Sequence, residues 1–440
     1  MQRLQPLYSE KLIYNLRGGF LVRPLAIALT LGLLGGILPK IEGQLPELQA
    51  FVAERLFPAQ FDQTVIQTIL STIAEAVMTV VSIVFAILLM SLTLASMQFS
   101  PRIISSFTKD RVTQWTLGIF LGTFSYCVCA LTFAPTFPGR FPPVLTVYGA
   151  TLLALMSVAW LLFFIHHISQ AISVNFMVDR IAMETEQVID FVAPRPRNDQ
   201  PPLPSDATAD PPTGAPIVCP ISGYVRYVDH SRLVRAAVVH RVILTVKRRV
   251  GHFVPNGIEL ISVSPPERLT DQLAADVLAS FDIGPSRQLQ QDVEFGILQI
   301  VDIALRAISP AVNDPSTAIC CIDQLGRILI WYASREPQPS RYYHPPGKLR
   351  VVTPVLGFER LVHSAFDQIR SYSKGDLAVC LRMMRALTDI SMTLQDSPSR
   401  RVLLTLGNRI VTGAKATQEH DDLGELFSRL LALQGLAASA

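Results

Sequence analysis

The stretch NLRGGFLVRPLAIALTLGLLGGILPK, residues 15–40, decides the class of this protein. Residues 25–38 carry no charge, and basic residues lie on both sides of them. A basic segment followed by a short apolar run is typical both of a cleaved export signal and of a first membrane span. The next residues, 39–42, read PKIE and offer no small-x-small cleavage site. We therefore interpret the stretch as a retained span over residues 20–38, with Arg23 reaching the membrane interface.

Three further long apolar segments follow, and none of them can be an export signal. They cover residues 64–96, 115–134 and 144–169, and the only acidic residue among them is Glu75. Half of the 440 residues are apolar, which is typical of a chain that is part membrane domain and part water-soluble domain. The sequence predicts an α-helical membrane protein with four transmembrane helices within residues 1–172.

The distribution of basic residues predicts how the chain is oriented in the membrane. Residues 1–23 carry four basic residues against one acidic residue, and the loop after the second span carries Arg102, Lys109 and Arg111. The loop after the first span mixes both signs, and the loop after the third holds only Arg140. The positive-inside rule therefore places both termini in the cytoplasm. The membrane that the chain crosses is expected to be the cell inner membrane. The net charge of +3 is too small to indicate nucleic-acid binding.

The chain after the fourth span divides by composition. Residues 173–193 are predicted to continue as a helix, and residues 194–216 are a proline-rich linker with almost nothing to bury. Alternating apolar residues predict strands within residues 217–264, which we interpret as a small β-barrel-like module. Helical spacing prevails over residues 265–440. The predicted fold is therefore four membrane helices followed by a cytosolic α+β region, a small β module with a helical bundle.

Two resemblances add to this interpretation. The spacing of Gly251 and Gly257 resembles barrel-sandwich modules related to lipoyl domains, although no lysine lies at a predicted acidic hairpin tip, so no covalent cofactor is expected. The segments MQFSPRIISSFTKDRVTQWTLGIFLGTFSYCVCAL (residues 97–131) and DVEFGILQIVDIALRAISPAVNDPSTAICCIDQLG (residues 292–326) resemble an uncharacterised family of bacterial predicted membrane proteins. That resemblance implies a multi-pass inner-membrane protein with a cytosolic C-terminal region, and it implies no activity.

The second span carries a polar stripe above an apolar belt. At 100° per residue its polar side chains fall within about 140° of arc. The same face continues into an apolar belt. In one interpretation the hydroxyl groups bond to carbonyls of their own helix or to neighbouring helices. In the other, the face lines a pore inside a homo-oligomer, with an acidic ring above a hydrophobic gate. The candidate pore-lining residues are Thr68, Ser71, Thr72, Glu75, Thr79, Ser82, Phe85, Leu89 and Met90.

The C-terminal region offers a ligand candidate near the turn SPAVNDPSTA, residues 309–318. Asp302 and Arg306 have the four-residue spacing of a helical ion pair, and Asp314 is predicted to cap the next helix. A helix start at Asn313 and Asp314 would also offer backbone donors to a small cytosolic ligand. The sequence shows no catalytic motif and no metal-ligand spacing, so we assign no catalytic residue, no metal and no cofactor.

Two functions stay open at this point. The first is an oligomeric channel or transport-type protein that is gated by its cytosolic domain. The second is a non-conducting membrane-anchored scaffold or sensor, whose spans only hold the cytosolic module. The expected partners are the lipid bilayer, further copies of the same chain and a small cytosolic ligand, but not nucleic acid. The polar stripe favours the first function, because a plain anchor has no use for it.

Overall fold

The chain forms two compact units, Met1–Ser173 and Val174–Ala440, which we call the N-terminal and C-terminal units. The structure is a computed structural model. It describes residues 21–44, 63–98, 111–133, 144–171, 173–193, 214–336, 338–344, 347–373, 376–415 and 423–438. Most of the predicted linker, residues 194–213, lies outside these ranges.

Four helices make up the described part of the N-terminal unit. They are α1 (Val22–Gln44), α2 (Gln63–Gln98), α3 (Arg111–Phe133) and α4 (Val144–Ala171). Each contains a segment of 21 to 28 residues that is long and apolar enough to cross a membrane. At 1.5 Å per residue such segments are about 30 to 40 Å long, which matches the hydrocarbon core of a bilayer. The four predicted spans are thus present, and the first continues six residues beyond its predicted end at residue 38.

Small residues bring α1 and α3 into close contact. A Cβ atom at Gly35 would lie 2.3 Å from the carbonyl oxygen of Tyr126, so only glycine fits between the two backbones. Gly118 and Gly122 on α3 receive the side chains of Ile27 and Leu31 in the same way. Gly118 and Gly122 lie four residues apart on α3, so they face α1 on the same side of the helix. Without a hydrophobic driving force between helices in lipid, such close contacts supply much of the attraction.

The carboxylate of Glu42 joins the end of α1 to the beginning of α4. Its oxygens accept hydrogen bonds from the backbone N–H groups of Leu145 and Thr146, at 2.7 and 3.1 Å, and from the Thr146 hydroxyl at 3.0 Å. The Tyr126 hydroxyl donates to the Thr146 carbonyl at 3.0 Å, so α3 meets the same turn. The first N–H groups of a helix lack intrahelical partners, and an anion there also interacts favourably with the helix dipole. Glu42 was expected in the loop after the first span, but it lies buried inside α1.

The C-terminal unit contains two open sheets that share one apolar core. The strands are β1 (Ala215–Val218), β2 (Gly223–Val228), β3 (Ile243–Val246), β4 (Phe253–Val254), β5 (Glu259–Ser264), β6 (Phe281–Gly284), β7 (Arg341–His344) and β8 (Lys348–Val352). One sheet has the order β1-β5-β3-β8-β7 and the other β4-β2-β6. Helices α6 (His230–Val239) and α7 (Asp271–Leu278) accompany them.

The prediction of a barrel-like module over residues 217–264 is therefore wrong in two respects: the sheets are open, and they include strands outside this range. Neither sheet closes on itself, and β6, β7 and β8 come from the region predicted to be helical. The reason is the pairing of β8 with β3, which is parallel and joins Val351 to Leu244 across about a hundred residues of chain. A local alternation of apolar residues shows that a strand exists but not which distant strand it pairs with.

The remaining helices form the rest of the C-terminal unit. They are α5 (Val174–Val192), α8 (Val293–Ala307), α9 (Pro315–Ala333), α10 (Phe358–Tyr372), α11 (Leu377–Thr393), α12 (Ser397–Lys415) and α13 (Gly424–Ala438). Asp292 caps α8 by accepting from the N–H of Phe295, and Asp314 caps α9 by accepting from that of Thr317. Residues 416–422, between α12 and α13, lie outside the described ranges.

We expect Glu42→Ala to lower the free energy of unfolding by about 3 kcal/mol, because three donors at the start of α4 lose a charged acceptor. Glu42→Gln keeps one carbonyl oxygen and should cost about half as much. Thermal unfolding of the detergent-solubilised protein measures both losses. Gln44→Ala, at an exposed position two residues further along α1, is the matched control and should leave stability unchanged. Equal stability of all four proteins would show that this cap does not hold the N-terminal unit together.

Candidate functional site

The polar stripe of α2 lies on the outside of the N-terminal unit. Eight of the nine candidate pore-lining side chains are exposed in the isolated unit, and Ser71 is half-buried. The apolar belt is as open as the polar part, since Phe85 is 53%, Leu89 50% and Met90 65% exposed.

The opposite face of α2 makes the contacts with the other helices. Its buried apolar residues are Ile66, Leu70, Ala74, Val77 and Val84. At 100° per residue they centre about 180° away from the polar stripe. The stripe therefore does not serve packing among the described helices of the same chain. Its polar side chains lie on the outer surface of the N-terminal unit.

The hydroxyl groups of the stripe bond within their own helix. Thr68 donates to the Thr64 carbonyl and Thr72 to the Thr68 carbonyl, each at 2.7 Å, and Thr79 donates to the Glu75 carbonyl at 3.0 Å. This is the local bonding that one of the two interpretations predicted, and it lowers the cost of placing a hydroxyl in an apolar environment. A carboxylate such as Glu75 cannot be satisfied in this way, because it has no proton to donate to a carbonyl.

In the C-terminal unit, a buried carboxylate gathers three arginines. Glu294 in the first turn of α8 accepts from Arg249 Nη2 at 2.8 Å, from Arg360 Nε at 2.9 Å and from the Ser364 hydroxyl at 2.9 Å. Arg287 Nη2 lies 3.4 Å from the same carboxylate. Burial alone would raise the pKa of Glu294, but the hydrogen bond and charge of Arg249, with Ser364 and Arg360, lower that pKa to about 2.

Asp292 extends this network by one residue. Arg287 donates to both of its carboxylate oxygens, at 2.7 and 2.8 Å, while Asp292 also caps α8. The side chain of Asp292 is 2% exposed, so this bidentate pair is shielded from solvent screening. The network joins the loop after β3, the start of α8 and the helix α10, and so fixes the β-sheets against the helical part of the C-terminal unit.

A cleft opens beside this network. Its cavity volume is about 50 Å³, and it is partly open to solvent. Its residues come from the end of α5, from β2 and β3, from the start of α8 and from the segment after β8. They are Val192, Ala193, Val228, His230, Val246, Arg248, Arg249, Val250, Gln291, Asp292, Val293, Tyr332, Gln338, Thr353, Pro354 and Leu356.

The four ligand candidates of the sequence lie elsewhere. Asp302 and Arg306 are half-buried on α8, and Asn313 and Asp314 form the turn before α9. Asn313 has φ 49°, and Asp314 accepts from the Thr317 backbone N–H at 3.1 Å. None of the four lines the cleft. Within the described ranges no group of three His, Cys, Asp or Glu side chains is placed to hold a metal ion.

Most residues that meet at the cleft and network were missed because they are far apart in the sequence. Arg249 and Arg360 lie 45 and 66 residues from Glu294, and only the tertiary fold brings them to it, whereas Arg287 lies seven residues before Glu294. The one local signal was the basic run KRR at residues 247–249, directly after a strand.

Ion pairs also hold α5, the helix that follows the fourth span, against α9. Arg327 donates to Glu186 and to Asp179, at 2.7 and 2.8 Å, and Arg335 donates to Asp190. The pairs attach α5 to the C-terminal unit at both of its ends.

Glu294→Gln should make the free energy of unfolding less dependent on pH in the acid range. A pKa held below its ordinary value contributes stability above about pH 4.5 that is lost as pH falls toward 2. The fall from 4.5 to about 2 corresponds to about 3 kcal/mol at 1.36 kcal/mol for each unit. We therefore expect Glu294→Gln to be less stable than the unmodified protein at pH 7 by about that amount, with the gap closing between pH 4.5 and 2.

Denaturant unfolding of the solubilised protein across this pH range measures the gap. Glu359→Gln, at a carboxylate that is 70% exposed, is the control and should show no such gap. A gap for Glu294→Gln that stays constant from pH 7 to pH 2 would contradict the prediction.

Comparison with known proteins agrees with this architecture. The chain is similar to uncharacterized proteins of Mycobacterium bovis (Mb1321c) and Mycobacterium tuberculosis (Rv1290c), with 31% identity over 345 residues. That alignment covers 77% of this chain and 66% of each relative, so the chain spans just under two thirds of their length. No solved structure matches it.

A family described as predicted membrane protein (DUF2254) matches residues 17–389, which include all four apolar helices and most of the C-terminal unit. The chain belongs to this family of predicted membrane proteins.

Proposed function

We propose that this protein is an oligomeric channel or transport-type membrane protein in which α2 of each copy faces a shared pathway. One observation carries the proposal: the polar stripe of α2 is turned away from the other described helices of the N-terminal unit. Lipid does not favour that arrangement, because Glu75 would stand as a charged side chain against hydrocarbon or its boundary. Further copies of the same chain would cover the stripe and enclose the water that the carboxylate requires.

The order of side chains along α2 suits a gated pathway. Glu75 would favour cations at one end, where the polar part of the stripe allows water to enter. The exposed belt of Phe85, Leu89 and Met90 would block hydrated ions by excluding water while the pathway is closed. Because one copy presents these residues on its outer surface, the pathway needs several copies, whereas a single chain has no enclosed conduit along this face.

We further propose that the protein lies in the inner membrane with both termini in the cytoplasm. The basic residues before α1 and after α2 support this orientation through the positive-inside rule. The C-terminal unit would then be cytosolic. A small net charge of +3 gives no reason to expect nucleic acid as a partner.

The C-terminal unit would control the pathway through α5. This helix begins at Val174, three residues after α4 ends at Ala171. The ion pairs of Arg327 and Arg335 attach α5 to α9, and through α9 to the rest of the C-terminal unit. A rearrangement of that unit would therefore move the chain that leads directly into the fourth span.

The alternative is a non-conducting scaffold or sensor anchored by its four spans. The bonding of Thr68, Thr72 and Thr79 within their own helix favours it, because such satisfied hydroxyl groups also pack in a dry contact between copies. The two functions differ in whether water and ions pass along α2.

Ion flux into liposomes that contain the purified protein distinguishes the two functions. Leu89→Ser should wet the apolar belt and raise passive flux, and Glu75→Gln should weaken any preference for cations over anions. The matched control is Leu162→Ser on α4. It makes the same substitution at a residue that is 67% exposed and, like Leu89, nine residues from the end of its helix.

Flux that rises with Leu89→Ser but not with Leu162→Ser supports the pathway. Negligible flux in all of these proteins would remove the channel and leave the anchored scaffold. A monomer in lipid nanodiscs, shown by its mass, would contradict both the pathway and the proposed covering of the stripe.

A further inference from the structure

The cleft of the C-terminal unit contains an arginine with no counter-charge. The Nε atom of Arg248 is buried and has no hydrogen-bond partner. No ion pair joins Arg248 to a carboxylate in the part of the chain that the structure describes. Arg248 as a whole is half-buried, but a buried donor that has no partner costs free energy.

The other charges at the cleft are already neutralised. Arg249 is paired with Glu294, and Asp292 with Arg287. Burial, opposed by Asp229, lowers the pKa of His230, so this ring is neutral at pH 7. The His252 ring next to the network also has a lowered pKa, from burial and from the charges of Arg249, Arg248 and Arg287 against Glu294. The surroundings of the cleft are thus net positive, and Arg248 supplies the positive charge that has no partner.

Apolar side chains line much of the remaining wall. Val192, Val228, Val246, Val293 and Leu356 contribute hydrocarbon surface. The Tyr332 hydroxyl donates to the Leu356 carbonyl at 2.5 Å, so the ring lies along the cleft with its polar end already satisfied. Ligand pockets typically combine such apolar walls with a few placed polar groups.

We propose that this cleft binds a small organic monocarboxylate, whose carboxylate pairs with Arg248 and whose apolar body lies against the valines and Leu356. A planar guanidinium matches the two oxygens of a carboxylate in a bidentate pair. A single uncompensated cation favours a monoanion. A doubly charged phosphate would bring a second negative charge close to Asp292, which also lines the cleft. The site is independent of the pathway along α2, since it uses no residue of the N-terminal unit.

Calorimetric titration of the full-length protein in detergent tests the site, with benzoate as the probe. Benzamide has the same ring without the charge, and inorganic phosphate has the charge without the ring. We expect benzoate to bind, benzamide and phosphate to bind at least tenfold more weakly, and Arg248→Gln to weaken benzoate at least about tenfold.

The neighbouring residue provides the control. Lys247→Gln removes the same charge at an exposed position one residue away and should leave benzoate affinity within about twofold. Because Arg248 has no partner, Arg248→Gln should keep the thermal midpoint of the unmodified protein, which separates lost binding from lost folding. Equal binding of benzoate and benzamide, tighter binding of phosphate, or unchanged benzoate affinity in Arg248→Gln would each overturn the proposal. Since no flux is measured, its failure leaves the proposed pathway untouched.

Discussion

A polar group that leaves water must find a partner, and this constraint organises both units of the protein. In the N-terminal unit it is met at the start of α4, where Glu42 from α1 accepts three hydrogen bonds and the Tyr126 hydroxyl of α3 reaches the same turn. Three of the four apolar helices are thereby tied at one point. In lipid, the free N–H groups at the start of α4 would find no other hydrogen-bond acceptor. The start of α4 and the carboxylate of Glu42 therefore depend on each other.

The same constraint shapes the C-terminal unit around Glu294. A carboxylate that is 5% exposed stays ionised only because Arg249, Arg360 and Ser364 donate to it. These donors come from different elements, so satisfying one charge also fixes how the sheets meet the helices. Removing a single donor leaves a buried charge only partly compensated, which is why such networks are conformationally specific even when their net contribution to stability is modest.

Where the constraint is not met inside one chain, a partner is implied. The stripe on α2 presents Glu75 to the surroundings of the N-terminal unit, and Arg248 stands in the cleft without a counter-ion. The first arrangement supports the proposed oligomer around a pathway, and the second supports the proposed carboxylate site. The two rest on separate observations in separate units. Helix α5, continuous in sequence with the fourth span and held by Arg327, is the element through which events at the C-terminal unit would reach the membrane helices.

The sequence by itself determined the features that depend on neighbouring residues. Apolar length predicted four spans, and Asp314 predicted the start of α9, because caps and periodicity act within a few residues. The angular pattern of α2 showed its polar stripe, but not that the stripe faces outward. Only the tertiary structure decided that, together with the open sheets, the role of Glu42 and the meeting of Arg249, Arg287 and Arg360 at Glu294. Apart from Arg287, which lies seven residues before Glu294, these features join residues that are tens to more than a hundred positions apart. No local pattern specifies which distant partner a strand, a carboxylate or a helix face will meet.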